Sequence, residues 1–210
     1  MLDKASDMQL SVANGSLKVR VINMTGHKLP TGYPEGRRMW VNVKFFNSGA
    51  QLIAERGAYD NATAVLTQND TKVYEARLGL SAEVAAATGL PAGESFHFAL
   101  NNVWLKDNRI PPMGFTNSGF AAVQAAPVAY TYADGQNWDD TLFVIPSGAV
   151  SATATLYYQT SSKEYIDFLH DHAPAGSTAG QTLYDQWLIT GKSAPVVMDA
   201  ASIQIPASCY

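Results

Sequence analysis

The chain has 210 residues, 47% of them hydrophobic and 15% charged, which is enough apolar material for one sizeable core under a lightly charged surface. Fourteen lysines and arginines stand against 18 acids, a net charge of −4 that argues against nucleic-acid binding through clustered cations. No run approaches the roughly 20 apolar residues that a membrane-spanning helix needs.

The first ten residues, MLDKASDMQL, lack the apolar stretch of a signal peptide. They suit either a cytosolic start or the interior of a longer, processed protein. Residues 8–13 (MQLSVA) then lead through Asn14-Gly15 into Leu17, Val19 and Val21, which alternate with Lys18 and Arg20. Period-two alternation around Asn-Gly predicts a β-hairpin. Further strands are expected over 39–47 (MWVNVKFFN), 51–56 and 71–78 (TKVYEARL). Residues 81–88 read as a short helix, with Ser81 as its N-cap and Gly89 as its left-handed exit.

The run 94–105 (ESFHFALNNVWL) alternates like a strand and carries His97 within it. Strands are also expected at 142–145, 152–159 (ATATLYYQ) and 196–205, with short amphipathic helices at 162–170 and 182–190. Eight or nine short strands punctuated by Gly, Pro, Asn and Asp point to an all-β protein, an antiparallel β-sandwich with a few inserted helices. No linker divides the chain, so residues 1–210 read as a single domain.

Three loops stand out. Residues 23–39 (NMTGHKLPTGYPEGRRM) hold three glycines and two prolines around His27, Lys28, Arg37 and Arg38. Such a long connection is often functional. The same composition also suits a rigid loop whose arginines pair with acids and whose histidine bonds backbone. Residues 106–120 (KDNRIPPMGFTNSGF) place Arg109 before two prolines that bar helix and central strand alike. Residues 130–140 (YTYADGQNWDD) crowd Asp134, Asn137, Asp139 and Asp140, an oxygen-rich set that suits calcium or plain turns.

Catalytic signatures are absent: the chain has no G-x-S-x-G elbow, H-E-x-x-H, P-loop or G-x-G-x-x-G. His170-Asp171-His172 offers two transition-metal ligands without an evident third. One cysteine, Cys209, can make neither an internal disulfide nor the two thioethers of a C-x-x-C-H haem attachment, so the chain carries no covalent haem c of its own. It reads as a frayed end, or else as an intermolecular link. Four tryptophans, Trp40, Trp104, Trp138 and Trp187, allow an aromatic platform for sugar rings, with Trp138 as the expected exposed member.

Residues 25–40, TGHKLPTGYPEGRRMW, resemble a motif in the non-haem, β-rich C-terminal region of bacterial multihaem c-type cytochromes. Residues 106–115, 130–140, 156–165 (LYYQTSSKEY) and 183–195 (LYDQWLITGKSAP) are similar to the same family, in order and across nearly the whole chain. In that family C-x-x-C-H repeats precede such a region; here none is present.

The resemblance implies an accessory domain of an electron-transfer system, periplasmic or extracellular, that docks on a multihaem cytochrome in the same parent polypeptide or a separate chain. The pattern Gly26-His27-x-x-Pro30-Thr31-Gly32 implies His27 as axial ligand to a haem attached elsewhere, with Lys28, Arg37, Arg38 and Arg109 facing propionates or the partner. Two alternatives stay open: a carbohydrate- or cell-surface-binding module, and a metal-dependent enzyme using His170 and His172. A free sheet edge or a terminal segment is also expected to dock on a partner or a second copy.

Overall fold

A computed structural model describes residues 2–207. A short 3-10 turn (Leu2–Lys4) precedes the expected hairpin of β1 (Ser6–Ala13) and β2 (Ser16–Asn23). Ala13 pairs with Ser16 across a two-residue turn in which Asn14 and Gly15 both take positive φ, 50° and 70°. That conformation matches the right-handed twist of the flanking strands, which is why Asn-Gly sits there.

After the long loop come β3 (Arg38–Phe46) and β4 (Leu52–Arg56), then two-residue strands β5 (Tyr59–Asp60) and β6 (Val65–Leu66) that pair with each other, and β7 (Lys72–Leu80). Helix α1 (Ala82–Thr88) has the expected caps: Ser81 Oγ accepts from the Val84 amide, and Gly89 exits at φ 73°. The remaining elements are β8 (Gly93–Glu94), β9 (Val103–Asp107), α2 (Asn117–Ala122), β10 (Trp138–Val144), β11 (Ser151–Gln159), α3 (Lys163–Asp171), α4 (Ala179–Ile189) and β12 (Val196–Gln204).

Every pairing is antiparallel. One sheet runs β1-β2-β10; the larger runs β12-β11-β3-β7-β8, with β4 also on β3 and β9 also on β7. Their facing sides form one core: Leu17, Val19 and Val21 of β2 meet Met39, Val41, Val43 and Phe45 of β3 and Ala152, Ala154 and Leu156 of β11. Alternation delivers these residues to one side of each strand, and their removal from water supplies the main favourable term in folding.

Strand β3 is buried on both faces. Its other face carries Arg38, Trp40 and Asn42, roofed by the β5–β6 hairpin and by helices α3 and α4. Trp40 packs against Tyr59 and Tyr157, and its Nε1 donates to the Gly57 carbonyl at 3.2 Å.

One expected strand is a departure. Residues 94–105 do not form a continuous strand: β8 stops at Glu94, a turn follows, and β9 starts only at Val103. The His97 carbonyl accepts from the Leu100 and Asn101 amides, and Asn101 Nδ2 donates back to the Ser95 carbonyl. Alternation placed the apolar residues correctly for a strand, but these local bonds close the backbone into a turn instead.

Candidate functional site

The 23–39 loop is organised by Asn23, the last residue of β2 and fully buried. Its Nδ2 donates to the carbonyls of His27 (2.7 Å), Ile110 (2.9 Å) and Pro111 (3.0 Å), while its Oδ1 accepts from the amide and hydroxyl of Thr25. Leu29 and Ile110 exchange both backbone hydrogen bonds at 2.9 Å. The loop is therefore fastened to the 106–113 segment by side chain and backbone together.

On this anchored backbone the His27 side chain is exposed. Its carbonyl is held by Asn23 and Thr25, and its ring nitrogens have no hydrogen-bond partner among the described residues. Met24 and Met113, on the two segments that Asn23 ties together, are 55% and 76% exposed.

The cations expected to reach outward are instead engaged within the protein. Lys28 is buried, its Nζ 2.6 Å from Asp107 Oδ2. Arg109 closes a two-pronged pair on the same carboxylate, with Nε at 2.8 Å and Nη2 at 2.7 Å, and its guanidinium lies over Trp104. Burial alone would raise the Asp107 pKa, but the hydrogen bonds and charges of Arg109 and Lys28 outweigh it and hold the carboxyl below its ordinary range. Arg38 turns inward because it shares the Trp40 face of β3. Its Nε donates to Gln159 and Nη1 reaches Glu164 on α3, while Nη2 is buried without a partner. Arg37 donates to the Thr31 carbonyl and lies over Tyr158. The four cations expected to face propionates or a partner thus divide: Lys28 and Arg38 are interior, and Arg37 and Arg109 are bonded neighbours of the loop.

The oxygen-rich segment sends its side chains to separate partners. Asp139 and Asp140 are consecutive on β10 and face opposite ways, so they cannot share an ion. Asp140 pairs with Arg20 through two 2.7 Å bonds, which hold its carboxyl below the ordinary range. Asp139 points into the sandwich and crosses to the other sheet, accepting from Tyr74 (3.0 Å) and Tyr130 (2.5 Å) and lying 2.9 Å from Lys72 Nζ. Asn137 donates to the Asn23 carbonyl, and Asp134 accepts from the Asn117 amide and side chain.

Among the described residues, no three His, Cys, Asp or Glu side chains gather around a common point. His170 spends both ring nitrogens on Asp171 and Gln181, whose hydrogen bonds, Gln181 first, raise its pKa. His172 bonds the Phe168 carbonyl through Nδ1 and stacks on the Phe168 ring. The two do not converge on one metal position.

The tryptophans divide as well. Trp40 and Trp187 are core, Trp138 is half-buried beneath the Arg20 guanidinium, and Trp104 is the most exposed at 42%. Cys209 lies outside the described residues.

Sequence reasoning missed three polar residues that shape the site. Asn23 and Asp107 sat at element ends with no pattern to mark them. Asn108 fixes β7 beside the site by accepting from the Glu75 amide and donating to the Val73 carbonyl.

No protein-family model matches the chain, and no curated protein does. A solved structure does match. The crystal structure of a penta-heme cytochrome c552 from Thermochromatium tepidum aligns with 98% of this chain at a TM-score of 0.53 and 15% identity. This chain spans 40% of the length of that one. The shared property is the fold.

Proposed function

We propose that this chain is the non-haem β domain of a multihaem c-type cytochrome system outside the cytoplasm, docked on a haem-bearing partner or portion, with His27 as axial ligand to one of its haems. The observation that carries the reading is the His27 side chain: exposed, its ring nitrogens without a hydrogen-bond partner among the described residues, on a backbone that Asn23 holds in place. An axial ligand needs a neutral nitrogen presented at a fixed position, and a pre-set loop lowers the ordering cost of ligation. Exposed Met24 and Met113 supply polarisable apolar contact of the kind a porphyrin face accepts.

The fold likeness to part of a penta-heme cytochrome chain supports the same reading, as does the 25–40 motif. The chain's own contribution is to present the imidazole, exclude water from one haem face and leave Arg37 and Arg109 near the loop as fixed positive charge. The haem would supply the one-electron chemistry.

The test uses a haem c peptide whose iron has one open axial position. Adding the wild-type chain is expected to convert its absorbance to a low-spin, bis-histidine type at saturation. His27→Ala is expected to abolish that conversion with the fold intact by far-UV circular dichroism. Equal conversion by the variant would contradict the ligand role.

A further inference from the structure

Beside the larger sheet lies a groove of about 570 Å³ that the proposed function does not use. One wall is the 95–100 turn; the other is α3 and α4, and Tyr33 of the long loop closes one end. Its rings interlock: Tyr33 to Phe98 at 5.0 Å, Phe96 to Phe168 at 5.6 Å, and His97 edge-on to Phe168 at 4.8 Å. His172 stacks on Phe168 at 4.3 Å and stands perpendicular to His97 at 5.7 Å.

Two features specify what the groove would accept. No Asp, Glu, Lys or Arg lines it, so a ligand carrying formal charge would enter without a counter-ion. Side-chain polar capacity comes from the two imidazoles and from the Tyr33 and Tyr165 hydroxyls, which bond each other at 3.1 Å. His172 must donate from Nδ1 to the Phe168 carbonyl, which leaves its Nε2 as a bare acceptor. His97 has no ring hydrogen bond among the described residues, so its neutral ring offers one donor and one acceptor. Phe98 is 56% exposed and Tyr33 42%, so the groove keeps large aromatic surfaces open to solvent.

We infer that this groove binds a flat, uncharged aromatic molecule with oxygen on its edge, of the quinone or quinol class. Aromatic walls take the ring faces by offset stacking. A carbonyl oxygen accepts from the His97 N–H, and in the reduced form a hydroxyl donates to His172 Nε2. The inference stands without the haem reading, because it rests on different residues and on the isolated chain.

The probe is 2,3-dimethyl-1,4-naphthoquinone, whose substituted ring carbons resist addition of the Cys209 thiol. Saturable one-to-one binding is expected by titration calorimetry and by quenching of intrinsic fluorescence. His97→Phe and His172→Phe keep the aromatic walls: His97→Phe is expected to weaken quinone binding about tenfold, the value of one lost hydrogen bond, and His172→Phe to weaken about tenfold the binding of the reduced 2,3-dimethyl-1,4-naphthohydroquinone, titrated without oxygen. The hydrocarbon 2,3-dimethylnaphthalene should bind at least about tenfold more weakly than the quinone for the same reason. Should either histidine variant fail to fold, Phe98→Glu, at an exposed position, places a charge in the groove and is expected to abolish binding. The inference is overturned by absence of saturable binding to the folded chain, by equal affinity for quinone and hydrocarbon, or by a His97→Phe variant that binds the quinone, or a His172→Phe variant that binds the quinol, like the wild type. Dimerisation through this face without any quinone response overturns it too.

Discussion

Asn23 decides where His27 sits. Its amide spans three carbonyls from two loops, and its oxygen takes the Thr25 amide and hydroxyl. Replacing it with alanine leaves the buried Pro111 carbonyl beside a void without its bond, while the Ile110 carbonyl keeps the Leu29 amide, and an unsatisfied buried group costs more than the net value of the bond lost. Asn23→Ala is expected to destabilise the fold by about 3 kcal/mol in urea unfolding. Its His27 should also lose its set position, so the folded fraction would ligate the haem c peptide more weakly than the wild type. Loss of stability below about 0.5 kcal/mol would show that the backbone bridge between Leu29 and Ile110 suffices without it.

At the scale of elements, helix α3 is set against the long loop by Gly36. This glycine takes φ 69°, its carbonyl accepts from the Ser162 amide that starts the helix, and a Cβ there would stand 2.5 Å from Tyr165 Cβ. Gly36→Ala therefore combines an unfavourable backbone conformation with a collision. A loss of about 2 kcal/mol is expected in thermal unfolding, with altered near-ultraviolet dichroism from the displaced Tyr165. An unchanged melting temperature would contradict this packing.

Elements with a local chemical signal were legible in the sequence: the Asn14-Gly15 hairpin, the Ser81–Gly89 caps and the alternation of β2, β3 and β11. Parity along a strand is legible only once its two neighbouring layers are known. Arg38 looked like a loop cation because nothing in the sequence announces that β3 is covered on both faces. Asp139 looked like a calcium ligand because its true partners, Lys72 and Tyr74, lie about 65 residues away on another strand. The 94–105 run failed for the opposite reason: its alternation was real, and short-range bonds around Asn101 overrode it. For the site, sequence singled out the His27 loop, whereas the anchor at Asn23 and the aromatic groove around His97 emerge only from tertiary contacts.

For the whole molecule, two sets of carboxyls pull stability in opposite directions with pH. Asp107 and Asp140 are held below their ordinary range, so the stability they contribute is complete above about pH 4 and is lost as pH falls through their depressed values. Glu35, 3% exposed, is the reverse case: burial raises its pKa despite the Asn101 bond, and charging it weakens the fold as pH rises from about 4 through that raised value. Glu35→Gln is expected to raise stability at pH 7 and to match the wild type near pH 3, as read by urea midpoints at both values. A variant less stable than the wild type at pH 7 would show that the ionised carboxylate is needed.

Strand β10 forms the outer edge of its sheet and exposes Leu142 and Val144 at 67% and 75%. Such an edge is open to pairing with another chain, and the docking proposed above would have it available. The central claim concerns one imidazole among the four histidines. Side-chain nitrogen NMR of the ¹⁵N-histidine-labelled chain, recorded as the haem c peptide is added, observes all four at once. The account predicts that the His27 ring signals alone move to paramagnetically shifted positions while those of His97, His170 and His172 stay in place. An unmoved His27, with the iron taken by one of the other three or by none, would contradict it.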